Sequence, residues 1–371
     1  MTKVMTIVGT RPEIIRLSRV MARLDATVEH VLVHTGQNYD YELNEIFFEE
    51  LGLRRPDHFL DVDTSSLGRV LGQTLIKTEG VLLAERPDAV LVLGDTNSCI
   101  AAVMAKRMRI PVYHMEAGNR CFDENVPEET NRRMVDHVAD FNLVYTEHAR
   151  RNLLAEGLQP RRILLTGSPM KEVLLHYSQQ FAASTILDTL SLMPGGYLLV
   201  SAHREENVDD PIRLGELLDC ITAAHKRFNV PVLVSTHPRT RKRLEALARD
   251  LPPGIHFHKP LGFIDYVRLQ QEALCVLSDS GTISEESSIL GFPAVTLRES
   301  IERPEAVDAG AIVMTGLDPE NLVQAIGIVV DSRAPACRPP DEYTFDNCSE
   351  RAVRFVISTY RRHHTWAGIR A

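Results

Sequence analysis

Short apolar runs alternate with stretches of helical period along most of this 371-residue chain, the mark of a parallel sheet joined by crossover helices. Val4–Val8 predicts a first strand and Glu13–Leu24 a first helix. Strands follow at His30–His34, Ala89–Leu93, Val112–Met115, Phe141–Tyr145 and Arg161–Leu165, each running into a polar or glycine-bearing turn. The pattern pauses between Met170 and Pro194, then restarts at Tyr197–Ser201, Val232–Thr236, Ile255–Phe257, Cys275–Ser278 and Ala294–Leu297. Two such series predict an α/β protein of two doubly wound, Rossmann-like domains, residues 1–170 and 171–354. Ser332–Pro340, rich in Pro and Arg, reads as a surface linker, and a last helix over Ser349–Arg362 can pack on either half, with residues 355–371 able to return to the first.

Open parallel sheets bind ligands beyond the carboxyl ends of their strands, so the residues just after each strand are where chemistry is expected. They are rich in charge: Gly9-Thr10-Arg11-Pro12-Glu13, Gly94-Asp95-Thr96-Asn97, His114-Met115-Glu116-Ala117-Gly118, Ala202-His203-Arg204, His237-Pro238-Arg239 and Asp279-Ser280-Gly281-Thr282. Thr10 suits an N-cap and Pro12 a first helical turn. Free N–H groups there, with Arg11, suit an anion, although the same residues also make an ordinary capped turn with a solvated Arg. Ser280 and Gly281 let backbone N–H groups approach a pyrophosphate, and Glu286, one turn on, is placed to accept ribose hydroxyls; an ordinary capped helix is the bland alternative. Asp95, Glu116 and Glu128 are the carboxylates that stand out. Glu128 opens a helix where acids also serve the dipole, and a surface ion pair with Arg132, four residues on, is a further reading. Taken together near His203 and Arg204, the three carboxylates read as an acid/base set. His237 begins the most basic run, which reads as a cleft residue followed by a solvated face.

Composition narrows the partners. A net charge of −9 argues against general nucleic-acid or anionic-membrane binding, and no apolar run reaches membrane length. The six cysteines lie far apart without metal spacing, as expected of reduced thiols in a cytoplasmic protein. Neither GxGxxG nor a P-loop is present. No cofactor and no metal are expected.

The motifs GTRPEIIRLSRV (9–20), HTGQ (34–37), GDTNS (94–98), HMEAGNR (114–120), PEETNRR (127–133), TGSP (166–169), HREEN (203–207), DSGTISEES (279–287) and ERPEAVDAG (302–310) occur in that order. They resemble the non-hydrolysing UDP-N-acetylglucosamine 2-epimerase family, and most of all its subgroup similar to UDP-N-acetyl-L-fucosamine synthases. The resemblance implies a glycosyltransferase-B arrangement with a central cleft, and a homodimer. It assigns Asp95, Glu116, Glu128 and His203 to catalysis. To the nucleotide and its phosphates it assigns Arg11, Arg132, Ser280, Gly281, Glu286 and Arg303, beside Arg204 and His237 from the strand-end reading. The chain departs from the family at Thr282, where a second Gly is usual, at Ser284, where Gln is usual, and in the run after Gln37. Relatives use that last region for a second, activating UDP-sugar, so such activation stays open here.

The C2 proton of a UDP-sugar has no neighbouring carbonyl, which makes direct removal difficult. Elimination of UDP to a glycal, followed by re-addition, avoids that difficulty. It asks for cations around the departing diphosphate and for carboxylates whose acidities differ. The expected reaction is therefore inversion at C2 of UDP-N-acetylglucosamine. The same inversion on a 6-deoxy-L-talose substrate, a glycosyltransferase of the same architecture, a hydrolysing epimerase and a silent UDP-sugar binder are the alternatives.

Overall fold

The computed structural model describes residues 2–36, 48–236, 243–244, 249–331 and 338–369. The chain forms two compact units, Met1–Leu175 with Glu342–Ala371, and His176–Asp341. The return to unit 1 thus comes earlier than residue 355. Its cause is local: Ser168 donates to the Glu342 carbonyl, Glu147 N–H to the Glu342 carboxylate, and Ser349 bonds Glu172. At Gly167, φ is +77° and a Cβ would run into Phe345, so only glycine allows this close return.

Unit 1 begins with β1 (Lys3–Val8), α1 (Arg11–Thr27), β2 (Glu29–His34), β3 (His58–Phe59), α2 (Leu67–Glu85), β4 (Ala89–Leu93) and α3 (Ala101–Arg107). It continues with β5 (Val112–Met115), α4 (Pro127–Val138), β6 (Phe141–Val144), α5 (Glu147–Ala155), β7 (Ile163–Leu165) and α6 (Met170–His176). All seven strands are parallel, in the order β3-β2-β1-β4-β5-β6-β7. Central strands such as Ala89–Leu93 are buried at every residue, which is why they read as unbroken apolar runs rather than alternating ones.

Unit 2 contains β8 (Leu198–Ser201), α7 (Glu205–Val208), α8 (Pro211–Phe228), β9 (Val232–Ser235), β10 (Ile255–His258) and α9 (Phe263–Glu272). It goes on through β11 (Cys275–Ser278), α10 (Ile283–Leu290), β12 (Ala294–Thr296), α11 (Pro304–Asp308), β13 (Val313–Met314) and α12 (Pro319–Asp331). Its sheet is also parallel, ordered β10-β9-β8-β11-β12-β13. The last long helix, α13 (Cys348–Thr359), packs on unit 1. There Thr359 Oγ1 meets Tyr113 Oη at 2.7 Å, and Arg23 Nε donates to Ser349. Sequence periodicity missed β3 and β13, two residues each and too short to show a period. Of the expected linker, residues 332–337 lie outside the described residues.

Candidate functional site

Each sheet reverses its strand order once, between β1 and β4 in unit 1 and between β8 and β11 in unit 2. Loops leaving neighbouring strands there turn to opposite faces and open a crevice. In unit 1 the flanking loops carry Thr10-Arg11 and Asp95-Thr96, and in unit 2 His203-Arg204 and Ser280-Gly281.

In unit 1 the loops are tied by buried charge. Thr10 caps α1, and Glu13, 1% exposed, takes N–H groups from Gly9 and Thr10 and hydroxyls from Thr96 and Ser98. One carboxylate thereby joins the β1 loop to the β4 loop. Burial pushes the Glu13 carboxyl up, against those four donors. Arg11 is half-buried at the head of the same helix. One turn on, Arg16 pairs with Glu116 in a buried contact.

Glu116 follows β5 with φ of +64°. For a residue with a side chain this left-handed backbone costs about 1–3 kcal/mol and is kept where the surroundings enforce it. Its carboxylate lies beside Gly94, the residue before Asp95. Asp95 accepts two bonds from Arg132 of α4, at 3.0 and 2.6 Å, and its carbonyl takes one from Asn131. Arg132 is buried and also bonds Glu129, so it is no solvated partner of a surface pair. Glu128 stands half-buried in the first turn of α4, one turn before Arg132. Behind these groups His114 bridges the Gly94 carbonyl and Asp136, while Asp136 also accepts from Arg120 and from Gly118.

In unit 2 the Asp279 carboxylate, fully buried, accepts from the backbone of His203 and Arg204 and from Asn207. His203 keeps 53% of its side chain exposed. Arg204 reaches within 3.7 Å of Glu302, which also pairs with Arg298 and stands against Gly281. Ser280 bonds Thr282 at the start of α10, Glu286 accepts from Gln270 at 2.6 Å, and Arg303 is buried against Glu285 at 2.5 Å. His237 lies outside the described residues.

The structure therefore draws Arg11, Asp95, Glu116, Glu128 and Arg132 to one edge of unit 1, and His203, Arg204, Ser280, Gly281 and Glu286 to the corresponding edge of unit 2. Sequence reasoning named Glu13, His114 and Asp279 within the strand-end runs without giving them a role, and it did not single out Arg16, Glu129 and Asp136. Their one signal was a charged or polar residue inside an otherwise apolar strand or helix face. A cavity of about 450 Å³, lined by Lys106, Phe141, Arg162, His363 and Trp366, lies at the amino ends of β6 and β7 and holds none of these groups.

Two doubly wound units with charged switch points define an α/β enzyme fold of the glycosyltransferase-B-like class. The sequence profile of the UDP-N-acetylglucosamine 2-epimerase family matches residues 22–357. A solved UDP-N-acetylglucosamine 2-epimerase from Rickettsia bellii is 45% identical, with 98% of each chain covered and a TM-score of 0.89. The Methanocaldococcus jannaschii UDP-GlcNAc 2-epimerase, solved with UDP-GlcNAc and UDP, is 34% identical over 96% of this chain and 100% of its own, also at 0.89. A Pseudomonas aeruginosa UDP-2,3-diacetamido-2,3-dideoxy-D-glucuronate 2-epimerase is 36% identical over 87% of this chain and 91% of its own. The chain belongs to the UDP-N-acetylglucosamine 2-epimerase family and is an isomerase that epimerises UDP-sugars at C2.

Arg16 and Glu116 expose only 10% and 7% of their side chains. Replacing Arg16 with Met strands a buried carboxylate and is expected to cost about 3–5 kcal/mol in urea unfolding. The double variant Arg16→Met, Glu116→Gln is expected to cost less than the sum of the single changes by at least about 1 kcal/mol; strict additivity would contradict a coupled buried pair. Burial pushes the Glu129 carboxyl up, but donors from Cys121, Arg132 and Arg133 outweigh it and hold the value at about 2 instead of 4.5. That pairing stabilises the fold above pH 4.5 and is lost as pH falls toward 2. Glu129→Gln should flatten that part of the acid limb when urea midpoints are followed against pH.

Proposed function

We propose that this chain converts UDP-N-acetylglucosamine to UDP-N-acetylmannosamine by eliminating UDP and adding it back. The observation that carries this reading is the pair of carboxylates after the adjacent strands β4 and β5, Asp95 bonded by Arg132 and Glu116, in left-handed backbone, paired with buried Arg16. In the first step a carboxylate takes the C2 proton, the anomeric C–O bond breaks with its electron pair going to UDP, and a C1–C2 double bond forms. In the second, a proton reaches C2 from the other face as UDP oxygen rejoins C1. Atoms and electrons balance without any oxidant. Asp95, Glu116 and Glu128 supply the proton transfers in unit 1, and Arg11 and Arg132 accompany them. In unit 2, His203, Arg204, Ser280 and Gly281 take the diphosphate, Glu286 the ribose, and Arg303 and His237 complete the nucleotide set. Leaving-group charge is stabilised by donors fixed beforehand, which need no reorganisation.

A second substrate is kept, the 6-deoxy-L-talose analogue giving UDP-N-acetyl-L-fucosamine. The Pseudomonas aeruginosa relative, named for a differently substituted sugar, supports tolerance of substrate within one reaction type. The compartment we propose is the cytoplasm, on the resemblance and the scattered cysteines; among the described residues no helix is long and apolar enough to cross a membrane. The partner we propose is a second copy of the chain. α2 leaves Ile76 and Leu83, two turns apart on one face, exposed at 68% and 60%, apolar surface suited to such a contact.

Proton NMR in D2O with UDP-N-acetylglucosamine tests the reaction. Deuterium should enter C2 as the UDP-N-acetylmannosamine signal grows, and Asp95→Asn or Glu116→Gln should slow both by about 10²–10⁴-fold. Silence with this substrate and exchange with the 6-deoxy-L-talose analogue would select the second; UDP release only with an acceptor would mean a glycosyltransferase. Light scattering should give twice the 41.6 kDa chain mass, and a monomer mass would remove the homodimer.

A further inference from the structure

We propose that Asp279 is the positioning residue for the loop after β8, and that it fixes which imidazole nitrogen of His203 a ligand meets. This rests on the reading of His203 as a group on the diphosphate side of the reaction.

β8 and β11 lie side by side, with Ser201 opposite Ser278. The residues just beyond them therefore meet at the switch point. There Asp279 is wholly enclosed, and a carboxylate so placed must be met by donors or cations. Three donors come from a single segment of five residues: the N–H of His203 at 3.1 Å, the N–H of Arg204 at 3.0 Å and Asn207 Nδ2 at 3.1 Å. One carboxylate on a core strand end thus holds the whole entry to α7.

The fourth group is the imidazole itself, with Nδ1 at 3.3 Å from Asp279 Oδ1. The Asp279 oxygens already accept backbone N–H groups, so the approach of Nδ1 to Oδ1 favours a proton on Nδ1. The ring is then left with Nε2 on its exposed side, as a lone pair when neutral and as an N–H when charged. Asp279 touches no substrate in this scheme; it acts through His203.

The test is nitrogen-15 NMR of histidine-labelled full-length chain, with the His203 signals assigned by their loss in His203→Gln. The expected pattern has Nδ1 protonated. In Asp279→Asn it should shift toward the Nε2–H tautomer, while kcat for UDP-N-acetylglucosamine falls about 100-fold and KM moves by less than about 3-fold. Should that variant not fold, Asn207→Ala keeps the carboxylate and the ring, and should retain the Nδ1–H pattern and most turnover. An Nε2–H tautomer in the unaltered chain, or an unchanged pattern in Asp279→Asn, overturns the proposal. A purely structural anchor would lower stability in Asp279→Asn without moving the nitrogen signals. Full turnover by His203→Gln would instead sink the role given to His203 in the reaction, while the Nδ1 result would stand.

Discussion

Parallel strands buried on both faces leave the chain no place for charge except beyond their ends. That constraint organises both units. Val4, Met5, Ile7 and Val8 are sealed within β1, and after Lys3 at its start the next charged groups are those of the turn that follows. Because strand order reverses at β1/β4 and again at β8/β11, the polar turns are gathered at two places rather than spread along the edges. The chain needs no special device to bring Asp95 near Glu116; adjacency of β4 and β5 does it.

Charges so concentrated must be neutralised locally, and most are held twice. Arg132 spans Asp95 and Glu129, Arg120 spans Asp136 and Glu156, and Glu302 lies between Arg204 and Arg298. Doubly held side chains have little rotamer freedom left to lose when a ligand arrives. Removing one member leaves others unsatisfied, which is how buried networks come to specify one arrangement. Glu116 joins both features, a left-handed backbone and a buried pair with Arg16.

Much of this was legible beforehand. The strands Ala89–Leu93, Val112–Met115 and Cys275–Ser278 were read to the residue, because each is an apolar run ending at a Gly, Glu or Asp turn. The burial of Glu13 and Arg16 is not legible, for a physical reason: on α1 they sit among Ile14, Leu17 and Val20, although charge ordinarily signals the solvent face. For Arg132 the helix spacing offers a pair with Glu128 as one reading, since such spacing reports neighbours on that helix alone. Asp95, which arrives from another strand, leaves no trace in such spacing. Asp279 stands in a strand-end run, but its donors lie some seventy positions away in sequence and leave no local trace.

The return of α13 to unit 1 has a consequence for how the chain is made. Unit 2 is an insertion within unit 1, whose helix over Cys348–Thr359 is synthesised only after all of His176–Asp341 has been completed. On the ribosome, domains fold as their residues emerge. Unit 2 can therefore finish its core while Tyr113 and α1 of unit 1 still await their covering helix. The unit that carries the three carboxylates is the last to close, so its sheet, complete in strands but still without α13, is the apolar surface exposed longest during biosynthesis.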